Sequence, residues 1–264
     1  IDYLVDWIAL LGARGERPHV LAVCQPSVPA FAATALMAAA RHPGRPYTLT
    51  MMGGPIDTRQ APTTVNRLAM ERPLAWFEQN VITPVPITYA GRGRRIYPGF
   101  LQLAGFMSMN LGNHLVSHWE MFKHLVEGDD ESAEATMRFY EEYLSVCDMD
   151  ACFYLQTVDE VFQRHLLPRG EFSHRGVRVD PAAITDTAIL AIEGERDDIS
   201  GVGQTRAALD LATRLSEQDK KYFLAPGVGH YGIFNGRKWR EMIAPVVEDW
   251  ISRHEPARRL NGAG

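Results

Sequence analysis

The run His19-Val-Leu-Ala-Val-Cys24-Gln25-Pro26-Ser27-Val-Pro29 constrains the fold more than any other stretch, because it joins a strand pattern to helix-start signals through a single thiol. Val20, Leu21 and Val23 favour a buried strand, and Pro26 suits a helix's first turn, where its missing N–H breaks no intrahelical bond. Cys24 therefore falls on the turn between them. A side chain held there projects from the end of a sheet, and the backbone N–H groups behind it point at any negative charge that develops. The same helix end favours thiolate over thiol. The segment decides nothing alone, since free cysteine is among the most commonly buried small apolar residues.

Two more strand ends carry polar side chains of a complementary kind. Ala188-Ile-Leu-Ala-Ile192 is an apolar run closed by Glu193-Gly194-Glu195-Arg196-Asp197-Asp198, and Tyr222-Phe-Leu224 leads into Ala225-Pro-Gly227-Val-Gly229-His230-Tyr-Gly232. The chain order is thus nucleophile, acid, histidine, each just past a strand, which is the order of α/β-hydrolases rather than of the chymotrypsin or subtilisin arrangements. In this reading Cys24 is the nucleophile, His230 the base and Asp197 the acid, with the Gln25 N–H as an oxyanion donor. Asp198 is adjacent to Asp197 and competes for its role. Asp57, which follows the preceding strand, competes as well, although its place before Thr58 suits a local turn or helix cap.

The combination Cys24-Gln25-Pro26-Ser27-Val28-Pro29, the stretch Met51-Met52-Gly53-Gly54-Pro55-Ile56-Asp57, the acid loop at Asp197 and Gly229-His230-Tyr231-Gly232 resemble the intracellular poly(3-hydroxybutyrate) depolymerases. These are α/β-hydrolase relatives with cysteine in place of the usual serine. The likeness runs from about Tyr3 to about Ile251. It departs from the general G-x-S-x-G box in having Ala22 and Pro26 at the two glycine positions. The resemblance implies an α/β fold class, the C-terminal part of an α/β-hydrolase sheet with a large helical cap insertion. It also implies cleavage of the ester bonds of amorphous poly(3-hydroxybutyrate) through a thioester acyl-enzyme, releasing 3-hydroxybutyrate units or oligomers. The expected partner is the polyhydroxyalkanoate polymer or granule surface, in the cytoplasm. No resident cofactor is implied, and coenzyme A competes with water as acyl acceptor.

A family member of this kind is expected to have four strands and an oxyanion loop before the elbow, yet Cys24 follows one helix-like segment, Asp2 to Leu11. An N-terminally truncated chain is therefore expected, with the strand carrying Cys24 turned into an edge. The upstream oxyanion N–H would be missing too, and one such donor is worth roughly 2.7–4 kcal/mol of transition-state stabilisation.

The remaining sequence sets the organisation. Strands are predicted near 19–24, 47–52, 187–193 and 221–225, so residues 1–57 and 185–255 form the core and 58–184 a mainly helical cap. Apolar residues recur at helical spacing in Leu68–Phe77, Phe100–Trp119, Ala133–Leu144 and Val158–Leu167, with Pro84, Pro86, Pro98 and Pro168 between them. Helices are also predicted over Gln204–Leu215 and Trp239–Ile251, Pro245 kinking the latter or lying in its first turn, and residues 256–264 read as a disordered tail. A net charge of −5 gives no basic surplus for nucleic acid. The weakly polar Val28–Ala40 stretch is short of the ~20 residues a membrane span needs. Cys24, Cys147 and Cys152 are an odd number without metal spacing, which suggests neither a disulfide framework nor a zinc cluster.

Two clusters in the cap carry competing readings. His114 and His118 share a helix face with His124 nearby, but Glu120 lies off that face, so polar-face or substrate-contact roles are favoured over a metal site. The run from Tyr97 to Met109 is dense in aromatic and thioether side chains, which adapt to irregular apolar partners. Phe100 and Phe106 in it, and Tyr231 beside the histidine, are the candidate substrate contacts, with internal cap packing as the alternative. Two other functions stay open: a polyhydroxyalkanoate synthase, which is expected to carry glycines around its cysteine, and a non-catalytic granule-binding protein of the same fold.

Overall fold

The structure is a computed structural model that describes residues 1–13, 16–109 and 111–255. In chain order the elements are α1 (Asp2–Gly12), β1 (His19–Val23), α2 (Ser27–Ala39), β2 (Thr48–Met52), α3 (Thr64–Glu71), α4 (Leu74–Val81), β3 (Thr83–Pro84), β4 (Arg95–Tyr97), α5 (Gly99–Met109), α6 (Leu111–Glu127), α7 (Asp130–Leu144), β5 (Met149–Asp150), α8 (Ala151–Thr157), β6 (Ser173–His174), β7 (Val177–Arg178), β8 (Ala188–Gly194), α9 (Ala207–Leu211), β9 (Lys220–Ala225), α10 (Gly236–Lys238) and α11 (Ala244–His254). The chain forms two compact units, one of Ile1–Glu71 with Asp159–Gly264 and one of Arg72–Val158.

The first unit is built on a four-stranded parallel sheet in the order β1-β2-β8-β9, with β1 at one edge. All seven residues of β8 are buried, as a near-continuous apolar run dictates for a strand covered on both faces. The period of two divides its side chains: Ile189 and Ala191 pack with Phe31 and Ala35 of α2, while Ala188, Leu190 and Ile192 pack with Val247 and Trp250 of α11. The sheet is thereby sandwiched between helices. All four strands run the same way, so the turns after β1, β2, β8 and β9 gather at one end, where open α/β sheets place their sites.

The four predicted strands are present, and β2 pairs along its whole length with β1 and with β8. Three helix expectations need correction. The helix predicted over 204–215 shrinks to Ala207–Leu211, because Gly203 takes φ +100 and the N–H groups of Gly203, Thr205 and Arg206 turn to the Glu193 carboxylate. The segment predicted as Val158–Leu167 starts earlier, at Ala151, where Asp150 caps the N–H groups of Cys152 and Phe153; it then widens into a π-turn at Val158–Gln163. Pro73 separates α3 from α4, cutting the predicted Leu68–Phe77 helix. In the last segment a π-turn at Trp239–Ile243 precedes α11, which carries Pro245 in its first turn.

The second unit is mostly helical, with α6 and α7 packed on each other and a small antiparallel β3-β4-β5 sheet that periodicity did not reveal. Among the described residues no helix is long and apolar enough to cross a membrane. The tail predicted for residues 256–264 lies outside the described residues.

Candidate active site

Cys24 follows β1 directly and sits at φ +60, a left-handed conformation that costs a non-glycine residue roughly 1–2 kcal/mol. The strain is held from both sides. The Cys24 N–H donates to the Met52 carbonyl at 2.7 Å, and the Ser27 N–H donates to the Cys24 carbonyl at 3.0 Å, so the chain turns from strand into α2 across three residues. Ser27 Oγ donates back to the Ala22 carbonyl at 3.2 Å. Gln25 lies next to Cys24 at the foot of α2.

His230 opens a short 3-10 turn after β9, and its Nδ1 lies 2.7 Å from Oδ2 of Asp197. The two side chains are 4% and 0% exposed. Asp197 Oδ1 accepts the N–H groups of Ile199 at 2.9 Å and Ser200 at 2.8 Å. A carboxylate engaged this way fixes the Nδ1–H tautomer and leaves Nε2 for a second partner. The other group acting on the imidazole is Cys24, whose thiol favours the protonated ring. Burial alone would strip the proton from His230, but the hydrogen bonds and charges of Asp197 and Cys24 outweigh it and raise the pKa to about 10. Such an imidazole has a high affinity for the proton of a neighbouring thiol.

The turn after β2 packs between these groups. Gly53 takes φ +58, and a Cβ there would stand 2.7 Å from Ile233 Cδ1 and 3.1 Å from the His230 ring. A Cβ on Gly54 would overlap Ser27. The glycine pair therefore lets the end of β2 approach both the elbow and the histidine.

Two residues that bear on the site had no role in the sequence reading. Glu193, 1% exposed at the end of β8, accepts the N–H groups of Thr205 at 2.6 Å and Arg206 at 3.0 Å through one oxygen. Its other oxygen accepts the Gly203 N–H and the Tyr222 hydroxyl, each at 2.7 Å. Thr205, thus fixed, bonds to the backbone of Gly54. The signal available in sequence was a carboxylate inside an otherwise apolar strand.

The competing acids are placed elsewhere. Asp57 is clamped by the Arg59 side chain at 2.8 and 2.9 Å and accepts the Arg59 N–H, a local turn. Burial opposes its charge, but the bonds from Arg59 and Gln60 outweigh that and lower its pKa. Asp198 is exposed. Tyr231 is 39% exposed and stands edge-on to the His230 ring at 5.8 Å. Phe100 lies exposed on α5 in the second unit, and the side chains of Phe106 and His114 fall outside the described residues. The His118 ring lies tilted against that of Tyr140, Glu120 pairs with Lys123 and His124 pairs with Asp129. Among the described residues no three His, Cys, Asp or Glu side chains form a group that could hold a metal ion. An open cleft of about 350 Å³ borders Asp197 and is lined by Thr63, Arg67, Asp198 and Gly201, not by Cys24 or His230.

Among solved structures, a monoacylglycerol lipase from Paleococcus ferrophilus superposes with a TM-score of 0.52 at 15% identity, covering 96% of this chain and 75% of the lipase. A thermophilic esterase from Thermogutta terrifontis matches with a TM-score of 0.43 at 11% identity, over 96% of this chain and 72% of the esterase. At that identity the likeness to the lipase is one of fold, the α/β-hydrolase fold. No curated protein matches the chain. Residues 53–255 match the family described as PHB de-polymerase C-terminus. That span takes in the glycine pair, the acid loop, the histidine loop and the whole second unit, so the chain belongs to the PHB de-polymerase C-terminus family and is a carboxylic ester hydrolase.

Proposed function

We propose that the protein cleaves the ester bonds of amorphous poly(3-hydroxybutyrate) with Cys24 as nucleophile, His230 as general base and acid, and Asp197 as the residue that orients the imidazole. The observation that carries this reading is the buried Asp197–His230 bond of 2.7 Å, on the sheet end where the strained Cys24 follows β1. His230 already holds the thiol proton when sulfur attacks the ester carbonyl carbon, and the carbonyl electrons move to oxygen. The Gln25 N–H at the foot of α2 stabilises that oxyanion. The carbon–oxygen bond then breaks, His230 returns its proton to the departing hydroxyl, and a thioester on Cys24 remains. Water attacks the thioester with His230 again removing a proton, and sulfur leaves as 3-hydroxybutyrate or an oligomer is freed.

The chain needs no resident cofactor in this scheme, and coenzyme A is an acceptor only as a second thiol in place of water. Phe100, Phe106 and Tyr231 supply apolar contacts to the polymer, and the protein works in the cytoplasm at the granule surface. Incubation of native protein and Cys24→Ala with amorphous poly(3-hydroxybutyrate) tests the assignment. The variant is expected to lose at least ~10³-fold in release of 3-hydroxybutyrate, and mass spectrometry of quenched native enzyme should find the acyl group on Cys24. Undiminished turnover by the variant would remove Cys24 from the mechanism.

A further inference from the structure

The second unit carries an exposed apolar stripe. Leu115, Trp119, Phe122 and Val126 recur at three- and four-residue intervals along α6 and so lie on one face of it; they are 64%, 58%, 54% and 71% exposed. Trp119 and Phe122 stack with centroids 5.7 Å apart. The side of α6 that meets α7 is a different one, marked by His118, whose ring lies 4.2 Å from that of Tyr140. Isolated exposed apolar residues are ordinary, but four in one stripe with two stacked aromatics mark an interaction surface.

The charges of the helix pair α6 and α7 select its occupant. Lys123 is the sole lysine or arginine of α6, and Arg138 the sole one of α7, whereas the adjoining turn and α7 carry Asp129, Asp130, Glu131, Glu134, Glu141 and Glu142. A helix that binds anionic bilayers sets lysine or arginine beside its apolar face, and this acidic surround repels such a bilayer instead. An uncharged apolar phase meets no such repulsion. Resting on the ester-hydrolase reading above, we infer that the Leu115–Val126 face of α6 is the surface by which the protein lies on its water-insoluble, uncharged polyester, apart from the residues that cleave it.

The experiment measures binding in the full chain carrying Cys24→Ala, so that the polymer is not consumed, by co-sedimentation with amorphous poly(3-hydroxybutyrate) granules. Trp119→Ser/Phe122→Ser is expected to weaken granule binding at least tenfold with an unchanged melting temperature. Leu115→Ser/Val126→Ser, a second exposed pair, is expected to weaken it as well. Granule binding equal to the parent in both double variants overturns the proposal. So does binding of the parent to phosphatidylglycerol vesicles but not to granules, which would make the face a membrane anchor. Dissociation of a dimer by the substitutions at unchanged granule affinity overturns it too, assigning the face to a second copy. Turnover of a soluble 3-hydroxybutyrate ester by the native chain is read separately: its absence while granules still bind sinks the catalytic reading and leaves the docking face standing.

Discussion

Thr205 holds Gly54 by both of its backbone groups: Oγ1 accepts the Gly54 N–H at 2.8 Å and lies 3.0 Å from the Gly54 carbonyl, to which it donates. Because Gly54 packs on Ser27 at the start of α2, one hydroxyl ties the loop after β8 to the turn that carries Cys24. Thr205→Val keeps the shape and removes both bonds, stranding a buried N–H at a cost of roughly 1–3 kcal/mol. A fall in melting temperature with a drop in kcat larger than the change in KM is the expected result. Kinetics and calorimetry on one preparation check it.

Asp197→Asn should keep the fold and lose the chemistry. The amide can present its NH2 to Nδ1, which selects the tautomer with the proton on the wrong nitrogen for accepting from Cys24. A loss of order 10³–10⁴ in kcat on soluble ester is expected by analogy with other triads. Activity within tenfold of native would show that the carboxylate does not orient the base.

The high pKa of His230 gives stability a definite pH dependence. Its proton is bound more tightly in the folded chain, about 10 against 6.5 when unfolded, so this stabilisation is complete below pH 6.5 and is lost as the pH rises through 10. The melting temperature of the native protein should therefore exceed that of His230→Gln most at pH 6.5 and below, and the gap should narrow toward pH 10. A gap that stays constant over this range contradicts the assigned pKa.

Cys24→Gly should be inactive yet more stable. Glycine occupies φ +60 without the Cβ penalty, and this gain offsets its larger loss of chain entropy, leaving about 1 kcal/mol in favour of the variant. Urea denaturation measures it; Cys24→Ala, which keeps the Cβ, should show no such gain.

Glu193→Gln replaces a carboxylate that accepts three N–H groups and one hydroxyl with an amide that must aim its own N–H at some of them. A destabilisation of roughly 1–3 kcal/mol is expected, with faster hydrogen exchange at Thr205 and Arg206. Exchange rates equal to native would show that the loop does not depend on this residue.

The elements that locality governs were readable in sequence. β1, β2, β8 and β9 announce themselves as apolar runs closed by turn residues, and the turn at Cys24 follows from placing a strand end against a helix start, whereas its left-handed backbone does not. The meeting of His230 with Asp197 was inferred from chain order, which says which strand end each occupies and nothing of the bond length. What stayed hidden depends on distant partners. The helix over 204–215 is pre-empted by Glu193, a contact no window around Gln204 contains. The β3-β4-β5 sheet uses strands of two or three residues, too short for a period of two to register. Gly53 and Gly54 stood in the sequence as family marks, and their reason, close approach to His230 and Ser27, is three-dimensional.

The placement of β8 between β2 and β9 also bears on how the protein is made. β2 finds its second neighbour only after the entire second unit has been synthesised, since Arg72–Val158 lies between the two strands in the chain. At ribosomal rates of ~5–20 residues per second that is a wait on the order of ten seconds. During it the β2 flank of the β1–β2 pair has nothing to bond, a long-range closure of the kind that folds slowly and is exposed to wrong partners. Nascent chains arrested before Ala188 should accordingly be the species that chaperones hold longest.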